Sequence, residues 1–289
     1  MRTHALDGGR LHPRERIVAS MAPLALVTGA SSGIGQACAT RLVDLGFHVL
    51  AGVRNLDDAP ERTEAVKLDV TSEGDVAAAA ERVGAELHVL VNNAGTAVSG
   101  PVEVVPVGDW RRQLEINLIG QVAVTRALLP AVLRTRGHIV NMSSIGGRVA
   151  NPLFGPYSAS KFALEGMSDA LRREVSHLGV RVVVVEPGGI ATPIWDKGHA
   201  AADQMLEGAD PEAAGHYGNL IANVRRATGR LAREGLPPEA VAEVVGKAVT
   251  TRRPRARYVV GRQAQVQAVA ARLLPDRVFD ALVARYLRR

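Results

Sequence analysis

Short apolar runs rich in β-branched residues alternate along the chain with longer segments of helical periodicity. Most of these runs lack an apolar–polar alternation, which is typical of strands covered on both faces. They predict strands at Leu24–Thr28, His48–Gly52, Ala65–Leu68, Val89–Val91, His138–Asn141, Arg181–Val185 and Arg257–Val260. Helices are predicted near 34–45, 73–83, 109–134, 157–177 and 238–250. The alternation favours an α/β fold, with one doubly wound parallel sheet of about seven strands flanked by helices.

For two of these helices, the sequence indicates where the helix begins. Asp109 is a suitable N-cap for the helix near 109–134, because its carboxylate can accept a bond from a free backbone N–H. Pro237 and Pro238 suit the first turn of the helix near 238–250, where a missing N–H costs no hydrogen bond.

The pattern changes between Thr192 and Leu236, where six glycines separate short helical pieces. This stretch is too long for an ordinary connection and predicts a substrate loop over 192–236. After Val260, two amphipathic pieces, Gln263–Leu274 and Asp276–Leu287, predict a C-terminal helical extension. The second piece places Val278, Phe279, Leu282, Val283, Tyr286 and Leu287 on one face. That stripe favours core packing over a membrane anchor.

Composition and charge exclude several classes of protein. With 47% hydrophobic residues the chain is not intrinsically disordered, and its single cysteine, Cys38, forms no internal disulfide. No run of about 18 apolar residues predicts a membrane span, and the opening residues lack the apolar core of a secretory signal, so the cytoplasm is the expected compartment. The eight histidines show no metal-ligand spacing, so no metal site is predicted.

The net charge of +6 is unevenly distributed. Residues 251–289 hold ten arginines and two acids, a balance of +8, which leaves −2 for residues 1–250. Such a tail can attract phosphate, nucleic acid or anionic lipid. A solvated basic face is favoured here, because no nucleic-acid recognition motif accompanies the arginines.

A glycine-rich turn lies between the first predicted strand and the first predicted helix. It reads Thr-Gly-Ala-Ser-Ser-Gly-Ile-Gly over residues 28–35 and includes Gly29, Ser31, Ser32, Gly33, Ile34 and Gly35. Such a turn directs backbone N–H groups and the positive end of the helix dipole at an anion. It predicts a site for the phosphates of a nucleotide.

The spacing Thr-Gly-x-x-x-Gly-x-Gly is followed in order by Leu68-Asp69-Val70, Asn92-Asn93-Ala94-Gly95, Asn117, Ser144, Tyr157 with Lys161, and Pro187-Gly188. Over residues 22–195 the chain therefore resembles the short-chain dehydrogenase/reductase family. The resemblance implies a Rossmann-type dinucleotide-binding domain over 21–262, and the arginines and amphipathic pieces after it predict a basic helical extension over 263–289. Because Met21 directly precedes the first strand-like run, residues 1–20 are predicted to be a flexible extension, with a mis-chosen start as the alternative. The resemblance also implies an oxidoreductase acting on CH–OH groups.

The second predicted strand is followed by Val53-Arg54, without the acid that would bind the ribose 2′-hydroxyl of NAD. Arg54 can pair with a 2′-phosphate, so NADP(H) is the predicted cofactor; NAD(H), with Asp57 or Asp58 on the ribose, stays the alternative. The resemblance adds a hydroxyl contact from Ser32, an adenine contact from Asp69 and a backbone contact from Val70. It places Asn92, Ala94 and Gly95 along the cofactor, and Pro187, Gly188, Ile190 and Thr192 at the nicotinamide. For Asn93, the alternative is a structural role that stabilises the sheet.

Tyr157 and Lys161 are four residues apart and share one face of a predicted helix. A tyrosine pKa lies near 10, and a neighbouring ammonium would lower it, so we expect Tyr157 to be the general acid/base and Lys161 to adjust its pKa and bind the ribose. Ser144 would hydrogen-bond the substrate oxygen. By resemblance, Asn117 completes a catalytic tetrad by holding a water molecule that relays protons; the alternative is a structural amide that bends its helix.

The substrate loop and the C-terminal region are similar to those of bacterial relatives of hydroxysteroid and retinol dehydrogenases. This resemblance implies a lipophilic alcohol or ketone substrate, and Ile194, Trp195, Met205 and Leu206 fit one. A 3-oxoacyl-carrier-protein reductase and a catalytically silent NADP-binding sensor are the alternatives. No nucleic-acid partner and at most peripheral membrane contact are expected. The resemblance further implies a homodimer or homotetramer, built through the helices near 109–134 and 157–177.

Overall fold

A computed structural model describes residues 22–192 and 211–287 of the chain. The predicted extension over 1–20 lies outside these described residues, as does the part of the predicted substrate loop that contains Ile194, Trp195, Met205 and Leu206.

A seven-stranded sheet forms the centre of the fold. Its strands are β1 (Leu24–Thr28), β2 (His48–Val53), β3 (Glu64–Lys67), β4 (Val89–Asn92), β5 (His138–Met142), β6 (Arg181–Pro187) and β7 (Arg257–Val260). Their order is β3-β2-β1-β4-β5-β6-β7, and every neighbouring pair is parallel. The predicted fold class and all seven strands are confirmed, with ends that differ by two residues at most. The strand order reverses between β1 and β4, where open α/β sheets leave a crevice for a ligand.

Helices cover both faces of this sheet. They are α1 (Gly33–Asp44), α2 (Glu73–Val83), α3 (Val107–Leu114), α4 (Gly120–Thr135), α5 (Gly155–Val175), α6 (Pro211–Glu234), α7 (Pro238–Thr250), α8 (Arg262–Leu273) and α9 (Asp276–Leu287). Helices α1 and α7 pack on one face, and α2, α4 and α5 pack on the other. In β1, Val27 joins the first of these cores and the adjacent Leu26 joins the second, because successive side chains point to opposite faces.

Cys38 lies on the inner face of α1 with no exposed surface. Burial raises the pKa of its thiol to about 12, so the thiol stays protonated and packs as a small apolar group.

The prediction that Asp109 caps the third helix is wrong. Helix α3 begins two residues earlier, at Val107, and Pro106 is its N-cap. The backbone N–H groups of Asp109 and Trp110 both donate to the Pro106 carbonyl, so the proline starts the turn and leaves Asp109 inside it. The other capping prediction is confirmed: Pro237 is the N-cap of α7, and Pro238 is its first helical residue.

The prediction of scattered short helical pieces over 192–236 is wrong for residues 211–234. They form the single 24-residue helix α6, although Gly215 and Gly218 lie within it. A Cβ at either glycine would meet nothing within 4 Å, so both face open space. Each costs about 1 kcal/mol of helix propensity relative to alanine. Apolar packing through Val224, Ala227 and Leu231 offsets this cost.

The helical run Val107–Thr135 is long and apolar enough to pass a length-and-hydropathy test for a membrane span. In this fold it packs on the sheet, with Val124, Leu128 and Val132 in the core. A buried core helix passes the same test, and the packing assigns the run to that class.

Candidate active site

The glycine-rich turn after β1 has a backbone that only glycine adopts readily. Gly29 and Gly33 have φ angles of 64° and 56°. A Cβ on Gly29 would lie 2.8 Å from the Cα of Ala94, and a Cβ on Gly35 would collide with the Gly29 carbonyl oxygen. Asn93 fixes the turn from the neighbouring strand, since its amide donates to the carbonyl oxygens of Thr28 and Gly29 at 3.0 and 3.1 Å. The bonds give Asn93 a structural role, which is the alternative that the sequence left open.

The N-terminus of α1 fits the phosphates of a dinucleotide. Ser32 is the N-cap of this helix, but no side chain caps its first N–H groups, and its first turn holds no acidic residue. Uncapped N–H groups beside a close-packed glycine turn form a cradle for an anion. Ser31 and Ser32 are both exposed at this turn, and Ile34 lines the adjoining cavity.

The ends of β2 and β3 place a cation and an acid near each other. Arg54 is exposed and makes no ion pair with any other residue in the described ranges. The carboxylate of Asp69 accepts bonds from the backbone N–H and the hydroxyl of Thr71, at 2.9 and 2.7 Å. These bonds, together with the charge of Arg54, hold the pKa of Asp69 below its usual range. The side chain of Val70 is buried against Gly120. Only the backbone of Val70 is therefore available to contact a ligand.

Asn92 does not present its side chain to a cofactor. It has no exposed surface, and its side-chain amide nitrogen donates to the Thr125 hydroxyl at 2.8 Å and to the side-chain oxygen Oδ1 of Asn141 at 2.9 Å. The Asn92 side chain therefore joins β4 to β5 and α4, and the predicted place of Asn92 along the cofactor stays a prediction that would involve its backbone. Gly95 lines the cavity beside Asn117, whereas Ala94 packs against the core.

Ser144, Tyr157 and Lys161 meet in one cavity of about 450 Å³ at the carboxyl ends of β4, β5 and β6. Ser144 follows β5, and the other two residues lie on the first turns of α5. The Lys161 ammonium donates to the Met142 carbonyl at 2.8 Å and lies 5.8 Å from the centroid of the Tyr157 ring. A Cβ on Gly146 would lie 3.0 Å from Tyr157 and 3.4 Å from the Ser144 hydroxyl, so this glycine lets the two side chains approach each other.

The electrostatics of the pair differ from the expectation that Lys161 lowers the pKa of Tyr157. Burial raises the pKa of Tyr157 above its usual value, and a hydrogen bond with Ser144 opposes the rise. Burial also lowers the pKa of Lys161 to about 8, against the attraction of Glu165. The phenol is therefore protonated at neutral pH, because its apolar surroundings disfavour the phenolate.

Asn117 lies in a π-helical turn, Glu115–Ile119, between α3 and α4. Its side-chain oxygen accepts from the Thr96 N–H at 2.8 Å, and its amide nitrogen donates to the Thr96 carbonyl and to the Ser160 hydroxyl. These bonds tie the segment after β4 to α5 and match the structural alternative. The role of Asn117 in a catalytic tetrad stays a prediction. Because its side chain is engaged in these bonds, the predicted water molecule would have to be held by backbone groups of the π-helical turn, which lack the regular helical partners.

A buried ion pair holds the turn that contains Ser144. Glu186, at the end of β6, has no exposed surface, and its carboxylate lies 2.6 and 2.8 Å from two nitrogens of Arg148. Arg148 directly follows the Ile145–Gly147 turn that Ser144 caps. Burial raises the pKa of Glu186, and Arg148 opposes the rise. The pair therefore joins the Ser144 turn to the strand that leads into Pro187-Gly188.

A second set of ion pairs supports the helix that carries Lys161. Glu165 lies one turn after Lys161, and Arg257 of β7 contacts Glu165 at 2.9 Å and Asp169 at 3.0 Å. These contacts fasten α5 to the edge of the sheet.

The end of β6 and the segment after it line the cavity that contains Tyr157. Pro187, Gly188, Ile190 and Thr192, the four predicted nicotinamide contacts, all belong to this wall. A Cβ on Gly188 would lie 2.7 Å from Ala264, and one on Gly189 would lie 2.5 Å from Leu231. The two glycines therefore allow α8 and α6 to pack directly against this segment.

Helices α6, α8 and α9, from the C-terminal part of the chain, form a further part of the cavity wall. Helix α6 contributes Val224, Ala227, Thr228 and Leu231, which the sequence analysis missed although they recur at helical spacing. No residue of α9 is buried, so the prediction that its stripe packs in the core is wrong. The apolar stripe of α9 instead lines the cavity, through Phe279, Leu282, Val283, Tyr286 and Leu287. Among the described residues, no group of three or more His, Cys, Asp or Glu side chains could hold a metal ion.

Comparison with known proteins agrees with this geometry. The short chain dehydrogenase family matches residues 23–203. The NADPH-dependent 3-dehydrocapnine reductase of Ornithobacterium rhinotracheale is 36% identical over 92% of this chain and 97% of its own length. Human retinol dehydrogenase 5 is 35% identical over 94% of this chain and 91% of its own. A short chain dehydrogenase from Burkholderia cenocepacia, solved in complex with NADP, has a TM-score of 0.71 and 28% identity over 92% of this chain and 98% of that one.

Proposed function

The chain belongs to the short-chain dehydrogenase family and is an oxidoreductase, and from this premise we propose that it transfers a hydride between NADP(H) and a lipophilic alcohol/carbonyl pair. The observation that carries the proposal is the meeting of Ser144, Tyr157 and Lys161 in one largely apolar cavity beside a nucleotide cradle.

The proposed chemistry assigns one task to each polar side chain. The glycine-rich turn and Arg54 would hold the dinucleotide, which would supply the hydride for the carbonyl carbon. Tyr157, kept protonated by burial, donates its proton to the carbonyl oxygen as the alcohol forms, and takes a proton back in the reverse direction. The Ser144 hydroxyl hydrogen-bonds that oxygen, and the Lys161 ammonium, still charged at pH 7, stabilises the phenolate that proton donation leaves.

Two observations support NADP(H) over NAD(H). Arg54 follows β2 with its guanidinium exposed, beside the Asp69 carboxylate that its charge affects. One relative is named for NADPH, and one structural neighbour holds NADP. A guanidinium is suited to a 2′-phosphate, which it can bind through two parallel hydrogen bonds.

The cavity wall supports a lipophilic substrate. Apart from the catalytic side chains, it is formed mainly by aliphatic and aromatic residues such as Val224, Leu231, Phe279 and Leu282. Retinol, for which one relative is named, is a long apolar alcohol of the kind such a wall would accept. Binding free energy becomes more favourable by about 25 cal/mol for each Å² of apolar substrate surface that such a wall buries.

Oxidation of NADPH at 340 nm tests the function, with ketones of increasing apolar length as substrates. We expect Tyr157→Phe to lower kcat by about 10²–10⁴-fold, the usual contribution of a general acid, while NADPH binding measured by fluorescence stays within a few-fold of wild type. Tyr258→Phe is the matched control, because the Tyr258 hydroxyl bonds the Arg255 N–H before β7, away from the cavity. Near-normal turnover in Tyr157→Phe would contradict the role of Tyr157 as the general acid.

A further inference from the structure

Helices α8 and α9 expose more apolar surface than packing in a soluble fold requires. Six of their large apolar side chains lie in solvent, and we name these the apolar rim: Val266, Val269, Leu273, Val278, Leu282 and Tyr286. Leu273 is 72% exposed and Val266 is 69% exposed. Scattered apolar residues on a surface need no explanation, but six on two adjacent helices form a patch of the kind that binds a partner.

The spacing of the rim places it on two stripes, one on each helix. Val266, Val269 and Leu273 are three and four residues apart on α8, and Val278, Leu282 and Tyr286 are four apart on α9, so each set shares one helix face. Val266, Leu282 and Tyr286 are at once exposed and part of the cavity wall. Half of the rim therefore lies where the cavity meets solvent, and the other half continues from it along the same two helices.

The charge around the rim has one predominant sign. Helices α6, α8 and α9, which border the cavity, contain eight arginines and four carboxylates. Of the arginines on α8 and α9, Arg262, Arg272, Arg277 and Arg285 are exposed. Apolar residues flanked by arginines on a surface helix are typical of a segment that lies in the interface of an anionic bilayer.

We infer that the apolar rim docks on an anionic lipid bilayer, with the cavity mouth against the lipid, so that a lipophilic substrate enters from the bilayer. The inference rests on the proposed function, because only a lipophilic substrate would use this route. Arginines at such a surface each strengthen binding by about fivefold at low salt, and the apolar side chains add a contribution that salt does not screen.

Vesicle flotation with the full-length protein tests the docking. We expect the protein to float with phosphatidylglycerol vesicles and to stay unbound with phosphatidylcholine vesicles. The double variant Val269→Asp/Leu273→Asp should lose at least tenfold in partition coefficient, and Arg272→Glu/Arg277→Glu should lose a similar factor at low salt. Leu178→Asp is the matched control: Leu178 is 46% exposed just before β6, at the amino ends of the strands and away from the cavity at their carboxyl ends, and its substitution should leave flotation unchanged.

The failure of docking and the failure of the proposed function are distinguishable. Val269 and Leu273 do not line the cavity, so the double variant should reduce a short, water-soluble ketone at the wild-type rate. Ketone reduction without flotation would overturn the docking and leave the function standing. Flotation without reduction of any ketone would support a lipid-binding face and remove the function on which the substrate route depends. A dimer that dissociates in Val269→Asp/Leu273→Asp, with no flotation of the wild type, would assign the rim to a second copy of the chain and overturn the inference.

Discussion

Removal of the Glu186 carboxylate should weaken both the fold and the catalytic turn. In Glu186→Ala, the guanidinium of Arg148 loses contacts of 2.6 and 2.8 Å. Breaking a buried ion pair on one side costs about 3–5 kcal/mol of unfolding free energy. The Arg148 side chain is 31% exposed and regains some water, so we expect the lower end, about 3 kcal/mol. Urea unfolding followed by circular dichroism measures this change, and kcat should fall with it, because Arg148 holds the turn of Ser144.

Two comparisons make this prediction refutable. Arg62→Ala removes the exposed Arg62–Asp44 pair, whose side chains are 63% and 45% exposed, and should cost less than about 1 kcal/mol. If Glu186→Ala costs no more than Arg62→Ala, the buried pair does not stabilise the fold as argued.

The pH dependence of Glu186→Gln adds an independent check. Burial raises the pKa of Glu186, so its contribution to stability is fully present below the pKa of the unfolded chain and is lost as the pH rises through the folded value. Because glutamine does not ionise, the variant should gain stability relative to wild type as the pH rises through the range above the usual glutamate pKa. A constant difference over that range would contradict the sign of the shift.

Three further predictions concern the cofactor and the lysine. Arg54→Ala should lower kcat/KM with NADPH by about 10–100-fold and leave the value with NADH nearly unchanged, since a charge-assisted bond contributes about 1.5–3 kcal/mol; equal losses with both cofactors would contradict the role. Gly29→Ala should abolish NADPH binding measured by fluorescence, because its Cβ would lie 2.8 Å from the Cα of Ala94; tight binding would show that the turn adapts. The kcat/KM for ketone reduction should fall as the pH rises through about 8, where Lys161 loses its charge, and Lys161→Arg should move that fall to higher pH, whereas an unmoved profile would assign it to another group.

Much of the fold could be predicted because its signals are local. A run such as Arg181–Val185 identifies a buried strand by itself, and the order of parallel strands brings the ends of β4, β5 and β6 to one edge. The meeting of Ser144 with Tyr157 and Lys161 follows from that arrangement together with the four-residue spacing on α5.

Other features depend on contacts between distant parts of the chain. The direction of the Tyr157 pKa shift comes from burial in a cavity closed by α6, α8 and α9, which no local pattern shows. The sequence does not predict helix α6, because Gly215 and Gly218 are typical helix breakers, whereas in the fold both glycines face open space. The side chain of Asn92 turned out to be structural because its partners, Thr125 and Asn141, come from other elements of the fold.

The buried thiol on α1 makes the chain convenient for site-specific labelling. Cys38 is the one cysteine in the sequence, and its raised pKa leaves almost no thiolate for a maleimide or a spin label to attack. A cysteine introduced at an exposed position, such as Val102 or Leu56, would react alone in the native state, with no need to remove the natural one. Slow reaction of Cys38 itself would then report the rate at which the sheet and α1 separate.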